Sequence, residues 1–216
     1  MSLPENPDAN LASIILRGLN NKGVCVLNAI IQTIKNHYGS KYGLKNQWKY
    51  SMMARLGDFK QYKNIDFKKI KRLVFVCSGN ICRSPLAEAV ALKAGFNSIS
   101  YGLNCRGGDK ADPRAIAFAQ KNNFNLEDHI TKNIALYVPL PGDLLIGMEP
   151  NHAKALEEYI DAETKVTLIG LWLPDCKAYI HDPYNANEIF FNRCEMEVVD
   201  ATQALISILR CRDVKP

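Results

Sequence analysis

From Lys71 onward the hydrophobic and polar positions fall into two alternating textures. Short β-branched or wholly apolar runs at Arg72–Cys77, Ile99–Leu103, Asp143–Met148 and Lys165–Ile169 predict four strands. Between and after them, Pro85–Ala94, a segment from Pro113 to about Asn122, Asn151–Tyr159 and Ala186–Arg210 carry helical patterns. Asp112-Pro113 reads as an N-cap followed by proline at the first helical position. The last helix places Ile189, Phe190, Cys194, Val198, Ala201, Leu205 and Leu209 on an amphipathic stripe. Strands alternating with helices predict an α/β fold: three layers, α/β/α, around a central four-stranded parallel sheet. Ligands of such sheets sit at the carboxyl ends of strands. Cys77 is the last residue of the first strand.

Ahead of Lys71 the pattern differs. Leu11, Ile14, Ile15 and Leu19, then Val26, Ile30, Ile31 and Ile34, have helical spacing, and Asn20, Asn21 and Gly23 interrupt them. Two helices joined by a turn are expected. Gly39–Lys71 has no clear period and reads as an irregular connector. It is strongly basic: Lys41–Arg72 holds ten Lys and Arg against two Asp, a net +8 within a chain of net +5, which leaves the remainder near −3. Residues 1–70 are therefore expected to form a helical, basic N-terminal extension, and residues 71–216 the α/β domain. The basic segment suits an acidic protein, a nucleic acid or a membrane surface; the plainer reading is a solvated connector. At 216 residues, 47% hydrophobic and 23% charged, the chain has the composition of a soluble domain plus an extension. Its apolar runs fall far short of a membrane span. Seven scattered cysteines with no secretory leader ahead of them point to a reducing cytoplasm rather than a disulfide framework.

The chemistry concentrates in Val74–Ala89, VFVCSGNICRSPLAEA. A strand ends at Cys77, a helix begins near Ser84, and the loop between them is Ser78-Gly79-Asn80-Ile81-Cys82-Arg83. Backbone N–H groups of such a loop form an anion cradle, and the helix N-terminus adds positive potential. Gly79 permits a tight turn, and Asn80 tolerates left-handed geometry. A cysteine in that field is expected as the reactive thiolate. Arg83 offers a planar fork matched to two phosphate oxygens. Together they make a nucleophile aimed at a bound phosphate. A zinc site is disfavoured, because no second cysteine pair has finger spacing and His37, His129, His152 and His181 stand singly. No Gly-Lys-Ser/Thr follows, so this is not the lysine-containing nucleotide loop.

This stretch resembles the signature of the low-molecular-weight protein tyrosine phosphatases. The resemblance extends over roughly residues 71–211, through Ser100-Tyr101-Gly102-Leu103, Ala111-Asp112-Pro113, Met148-Glu149-Pro150 and Asp182-Pro183-Tyr184. Gly170–Tyr184 looks most like bacterial members associated with exopolysaccharide and capsule export. The resemblance implies a cytoplasmic enzyme that hydrolyses protein phosphotyrosine through a phosphocysteine on Cys77. Arg83 and the amides of residues 78–83 would hold the equatorial oxygens, and Asp182 would be the general acid. Ser84 would assist the leaving thiolate. Asn80 would brace the loop with Ser100 and His129, Tyr184 would wall the aromatic slot, and Cys82 would form a reversible disulfide with Cys77 under oxidant. Neither metal nor cofactor is implied. The expected partner is a phosphotyrosine protein, with a bacterial tyrosine autokinase as the family-based substrate. No nucleic acid is expected, membrane contact would be peripheral at most, and docking or dimerisation is expected of the apolar extension. At a position where members often carry an apolar or aromatic slot wall, this chain has Arg106, which would stack on the substrate ring or meet acidic neighbours of the phosphotyrosine; the plainer reading is a solvated loop arginine.

Two other activities use a similar scaffold. Thioredoxin-coupled arsenate reductases need resolving cysteines after the third strand, where this chain reads Ile146-Gly147-Met148-Glu149-Pro150-Asn151-His152. Protein-arginine phosphatases carry threonine after the loop asparagine, where this chain has Ile81. A non-enzymatic alternative is a binding or targeting module acting through residues 1–70; the intact Cys77, Arg83 and Asp182 weigh against it as the sole function.

Overall fold

The computed structural model describes residues 25–159 and 164–211. The first of the two expected N-terminal helices, with Leu11, Ile14, Ile15 and Leu19, lies outside the described residues. Four parallel strands form one sheet: β1 (Arg72–Cys77), β2 (Ser98–Gly102), β3 (Asp143–Gly147) and β4 (Lys165–Leu168), in the order β2-β1-β3-β4. Around it run α1 (residues 25–38), α2 (Lys41–Leu56), α3 (Arg83–Lys93), α4 (Pro113–Lys121), α5 (Pro150–Leu156) and α6 (Glu188–Cys211). The strand and helix boundaries expected from Lys71 onward agree with these to within a few residues. Asp112 does cap α4, its carboxylate accepting the Arg114 N–H at 2.8 Å.

Alternation along β1 assigns the two layers. Leu73, Phe75 and Cys77 point to a core with Leu86, Val90, Ala115, Phe118, Val198 and Leu205, from α3, α4 and α6. Val74 and Val76 point to a second core with Ala153 and Leu156 of α5 and with Tyr50 and Phe59 from ahead of the sheet. The expected three-layer α/β/α architecture is therefore present, and part of one layer comes from the extension. At the amino ends of the strands, Arg72 makes a bidentate pair with the buried Asp143, at 2.8 and 2.6 Å.

Gly39–Lys71 is not an irregular connector. It contains the sixteen-residue α2, followed by 3-10 turns at Lys60–Lys63 and Phe67–Lys69. Ser40 caps α2, accepting the Gly43 N–H at 3.0 Å, and Gly57 ends it in left-handed geometry at φ 92°. Only Gly43 and Tyr50 of α2 are buried, so a hydrophobic period was never there to read. The expected second N-terminal helix is α1, but its Val26, Leu27, Ile30 and Ile31 face outward. Among the described residues no helix is long and apolar enough to cross a membrane.

Candidate active site

β1 and β3 meet where the strand order reverses, and the carboxyl end of β1 delivers Cys77 to that crevice. The chain then turns through Ser78–Cys82 into α3. Asn80 adopts φ 55°, the left-handed geometry expected of it. Its backbone N–H points at the Cys77 Sγ, 3.2 Å away, and Ser84 Oγ lies 3.1 Å from the same sulfur. Cys77 is thus nearly enclosed, with two groups able to donate to its sulfur.

A buried polar network fixes the loop from behind. Asn80 Nδ2 donates to Ser84 Oγ at 2.9 Å and to Ser100 Oγ at 2.8 Å, while its Oδ1 accepts from the Lys132 N–H at 2.8 Å. His129 Nε2 lies 2.9 Å from the Asn80 carbonyl oxygen, so that nitrogen carries the proton. Burial lowers the His129 pKa and keeps the ring neutral. Ser100 in turn donates to Glu88 at 2.5 Å. Burial raises the Glu88 pKa, with the Ser100 hydrogen bond opposing it. Sequence reasoning grouped Asn80, Ser100 and His129; it missed Glu88, which is one helical turn beyond Ser84 and gave no separate signal.

Arg83 is 1% exposed. Its Nη1 donates to the Ile180 carbonyl at 3.0 Å, and its Nη2 pairs with Asp182 Oδ2 at 2.8 Å. Among the described residues Nε has no hydrogen-bond partner. Glu149 stands 3.7 Å from Nη1 and pairs with His152 at 3.0 Å. Burial works against the guanidinium's charge, but Asp182, Cys77 and Glu149 outweigh it and hold the pKa above its ordinary value.

A cavity of about 180 Å³ is lined by Cys77, Ser78, Gly79, Ile81, Cys82, Arg83, Asp182 and Tyr184. Asp182 (42% exposed side chain) and Tyr184 (52% exposed) form its open edge. Asp182 Oδ1 accepts the Tyr184 N–H at 3.1 Å, closing a small turn that sets the two side by side. Arg114, itself held by Asp112, donates to the Tyr184 carbonyl at 2.7 Å and ties this loop to α4. Burial pushes the Cys82 thiol's pKa far up, so Cys82 stays a thiol at neutral pH. Arg106 is exposed on the segment after β2 and does not line this cavity. The loop, Asp182 and Tyr184 line one cavity, Ser100 and His129 bond Asn80 from behind it, and Arg106 lies apart. Among the described residues no cluster of three or more His, Cys, Asp or Glu is placed to hold a metal.

A family model described as low molecular weight phosphotyrosine protein phosphatase matches residues 72–214. The chain belongs to that family. A low-molecular-weight protein-tyrosine-phosphatase, Wzb, of Salmonella typhi is 36% identical over 124 residues, covering 56% of this chain and 81% of that one. The tyrosine phosphatase Wzb from Escherichia coli K30, solved with sulphate, superposes with a TM-score of 0.55 at 28% identity, covering 65% of this chain and 99% of that one. Vibrio vulnificus Wzb, solved with benzylphosphonate, gives 0.54 at 28% identity, over 64% and 99%. The protein is an enzyme of the low-molecular-weight protein tyrosine phosphatase class, a phosphoric monoester hydrolase.

Proposed function

We propose that this phosphatase hydrolyses protein phosphotyrosine through a phosphocysteine on Cys77, and that its substrate is a bacterial tyrosine kinase of exopolysaccharide production. One observation carries the mechanism: a single cavity is lined by Cys77, Arg83 and Asp182, with Tyr184 at its edge. The likeness to Wzb phosphatases supports the substrate.

Cys77 Sγ attacks phosphorus in line. The S–P bond forms as the bond to the tyrosine oxygen breaks, and that oxygen takes the proton of Asp182. The loop amides and Arg83 hold the phosphoryl oxygens. Among the described residues Arg83 Nε is without a partner, and Nη2 pairs with Asp182; an incoming phosphoryl group would compete for Nη2 and free the Asp182 carboxyl for the leaving group. Asp182, now a carboxylate, takes a proton from water. The water oxygen attacks phosphorus, the S–P bond breaks, and the Ser84 hydroxyl and Asn80 N–H receive the departing thiolate. Tyrosine and inorganic phosphate are the products. Ile81, in place of the arginine-phosphatase threonine, gives the loop an apolar wall beside Tyr184, which suits an aromatic ring.

Acid quenching during turnover of an aryl phosphate tests the covalent step. Mass spectrometry of the digested protein should find the phosphoryl group on the Cys77 peptide, and Cys77→Ser should not turn over. Steady turnover by Cys77→Ser would remove the nucleophile from the mechanism.

A further inference from the structure

The loop that carries Asp182 has two flanks. One is held by the catalytic domain: Arg83 binds the Ile180 carbonyl, the Ile180 N–H donates to the Met148 carbonyl at 2.9 Å, and Arg114 binds the Tyr184 carbonyl. The other flank is held by residues that precede the family's matched region. His181, the immediate neighbour of Asp182, has both ring nitrogens engaged: Nε2 lies 3.2 Å from Ser40 Oγ, and Nδ1 lies 2.5 Å from the Tyr179 hydroxyl. Asn46 Nδ2 donates to that hydroxyl at 3.3 Å, and the Tyr50 ring lies 5.3 Å from the Tyr179 ring. At the far end of the loop, Asn187 Nδ2 donates to Asn36 Oδ1 at 2.7 Å.

The fit around His181 is close. Gly39 sits at φ 72°, and a Cβ there would stand 2.7 Å from the His181 ring and 2.8 Å from Phe190. The backbone of the extension can turn against the imidazole because residue 39 has no side chain. Phe190 packs edge-on to the same ring at 5.6 Å, and the Cys194 thiol donates to the His181 carbonyl at 3.1 Å. Burial, reinforced by Arg83, lowers the His181 pKa. A neutral imidazole donates through one nitrogen and accepts through the other, so it bonds both hydroxyls in either tautomer.

We propose that Ser40 and Asn46 of the extension, acting through His181 and Tyr179, position the Asp182 carboxyl for proton transfer. The extension is then a working part of the acid loop. This rests on the reading of Asp182 as general acid. The Asp182 side chain is partly exposed, and among the described residues its bonds are the turn with Tyr184 and the pair with Arg83. A displacement of about 1 Å at a reacting group costs on the order of 10²-fold in rate, so support two residues deep is enough to matter.

Leaving-group dependence separates this role from a merely structural one. A misplaced acid hurts substrates whose leaving oxygen needs the proton and spares those whose oxygen leaves without it. The full-length protein and its Ser40→Ala, Ser40→Thr, Tyr179→Phe and Asp182→Ala variants would be assayed by kcat/KM on phenyl phosphate and on dinitrophenyl phosphate. Inorganic phosphate inhibition would report the anion cradle. Ser40→Ala and Tyr179→Phe should each lose about tenfold on phenyl phosphate, and less than about threefold on dinitrophenyl phosphate. Phosphate inhibition should be unchanged. Ser40→Thr, which keeps the hydroxyl and the helix cap, should restore the rate, and Asp182→Ala should show the same selectivity more strongly. Equal losses on both substrates, or none in folded Ser40→Ala and Tyr179→Phe, would overturn the inference while leaving Asp182 as the acid. An Asp182→Ala variant with no leaving-group selectivity would remove the acid reading and the inference together. If Ser40→Ala does not fold, Tyr179→Phe, which keeps the ring stack, decides alone.

Discussion

Glu195 is fully buried in α6, and among the described residues neither carboxylate oxygen has a hydrogen-bond partner. Burial pushes its pKa up to about 8, against the pull of Arg83 and with the help of Asp112 and Asp182. An unfolded glutamate titrates near 4.3. Between those two values the folded chain keeps a proton that the unfolded chain has released, so this residue lowers stability as pH rises and reaches its full cost above about pH 8. Glu195→Gln keeps the shape and removes the titration. It should melt like the parent near pH 4 and several degrees higher at pH 8, a difference on the order of a few kcal/mol. Identical pH dependence of the two melts would show that Glu195 is already ionised in the fold. The position is legible only in hindsight, because Glu195 is a charged residue on a stripe whose other members, Cys194, Val198 and Leu205, were read as core. Cys77, Arg83 and Asp182 were legible because their chemistry is local or carried by short motifs. Glu88, Ser40 and His181 were not, since each reaches the site through a contact that only the folded chain makes.

At the scale of elements, the end of β2 braces the loop. Gly102 pairs with Cys77, and a Cβ on it would fall 2.8 Å from Cys105 Sγ and 3.0 Å from both the Asn80 N and Cβ. The loop backbone cannot yield without moving the N–H that faces the Cys77 sulfur. Gly102→Ala should therefore cost about 1–3 kcal/mol through overpacking and should lower kcat/KM by about tenfold or more. A parent-like rate in the variant would mean that Asn80 has more room than these distances imply. The sheet and its helices were readable from period alone, because burial imposes alternation on strands and a stripe on α6. α2 was not. Its stability comes from the Ser40 cap, the Gly57 terminus and a single buried tyrosine, none of which makes a periodic signal.

For the whole molecule, the extension completes a layer. Tyr50 and Phe59 share a core with Val74, Val76, Leu145, Leu168 and Tyr179, and the Tyr62 carbonyl accepts from Thr167 Oγ1 at 2.7 Å. A chain beginning at residue 71 should expose that face. Its melting temperature should fall by more than ten degrees, or the protein should aggregate, given about 3–5 kcal/mol for each large aromatic lost from a core and about 2–4 °C per kcal/mol in a chain of this size. An unchanged melt would make the extension energetically separate. Residues 1–70 fell outside the resemblance that made the rest of the chain readable, so the contacts of Ser40, Asn46 and Asn36 with the segment around Asp182 are visible only in the fold.

The central claim is phosphotyrosine hydrolysis by Cys77. Its most direct test is turnover of a phosphotyrosine peptide by the reduced full-length protein, with phosphoserine and phosphoarginine peptides and the Cys77→Ser variant in parallel. Phosphotyrosine alone should be turned over, and Cys77→Ser should abolish that turnover. Preference for phosphoarginine, or no turnover by the folded, reduced protein, would contradict it.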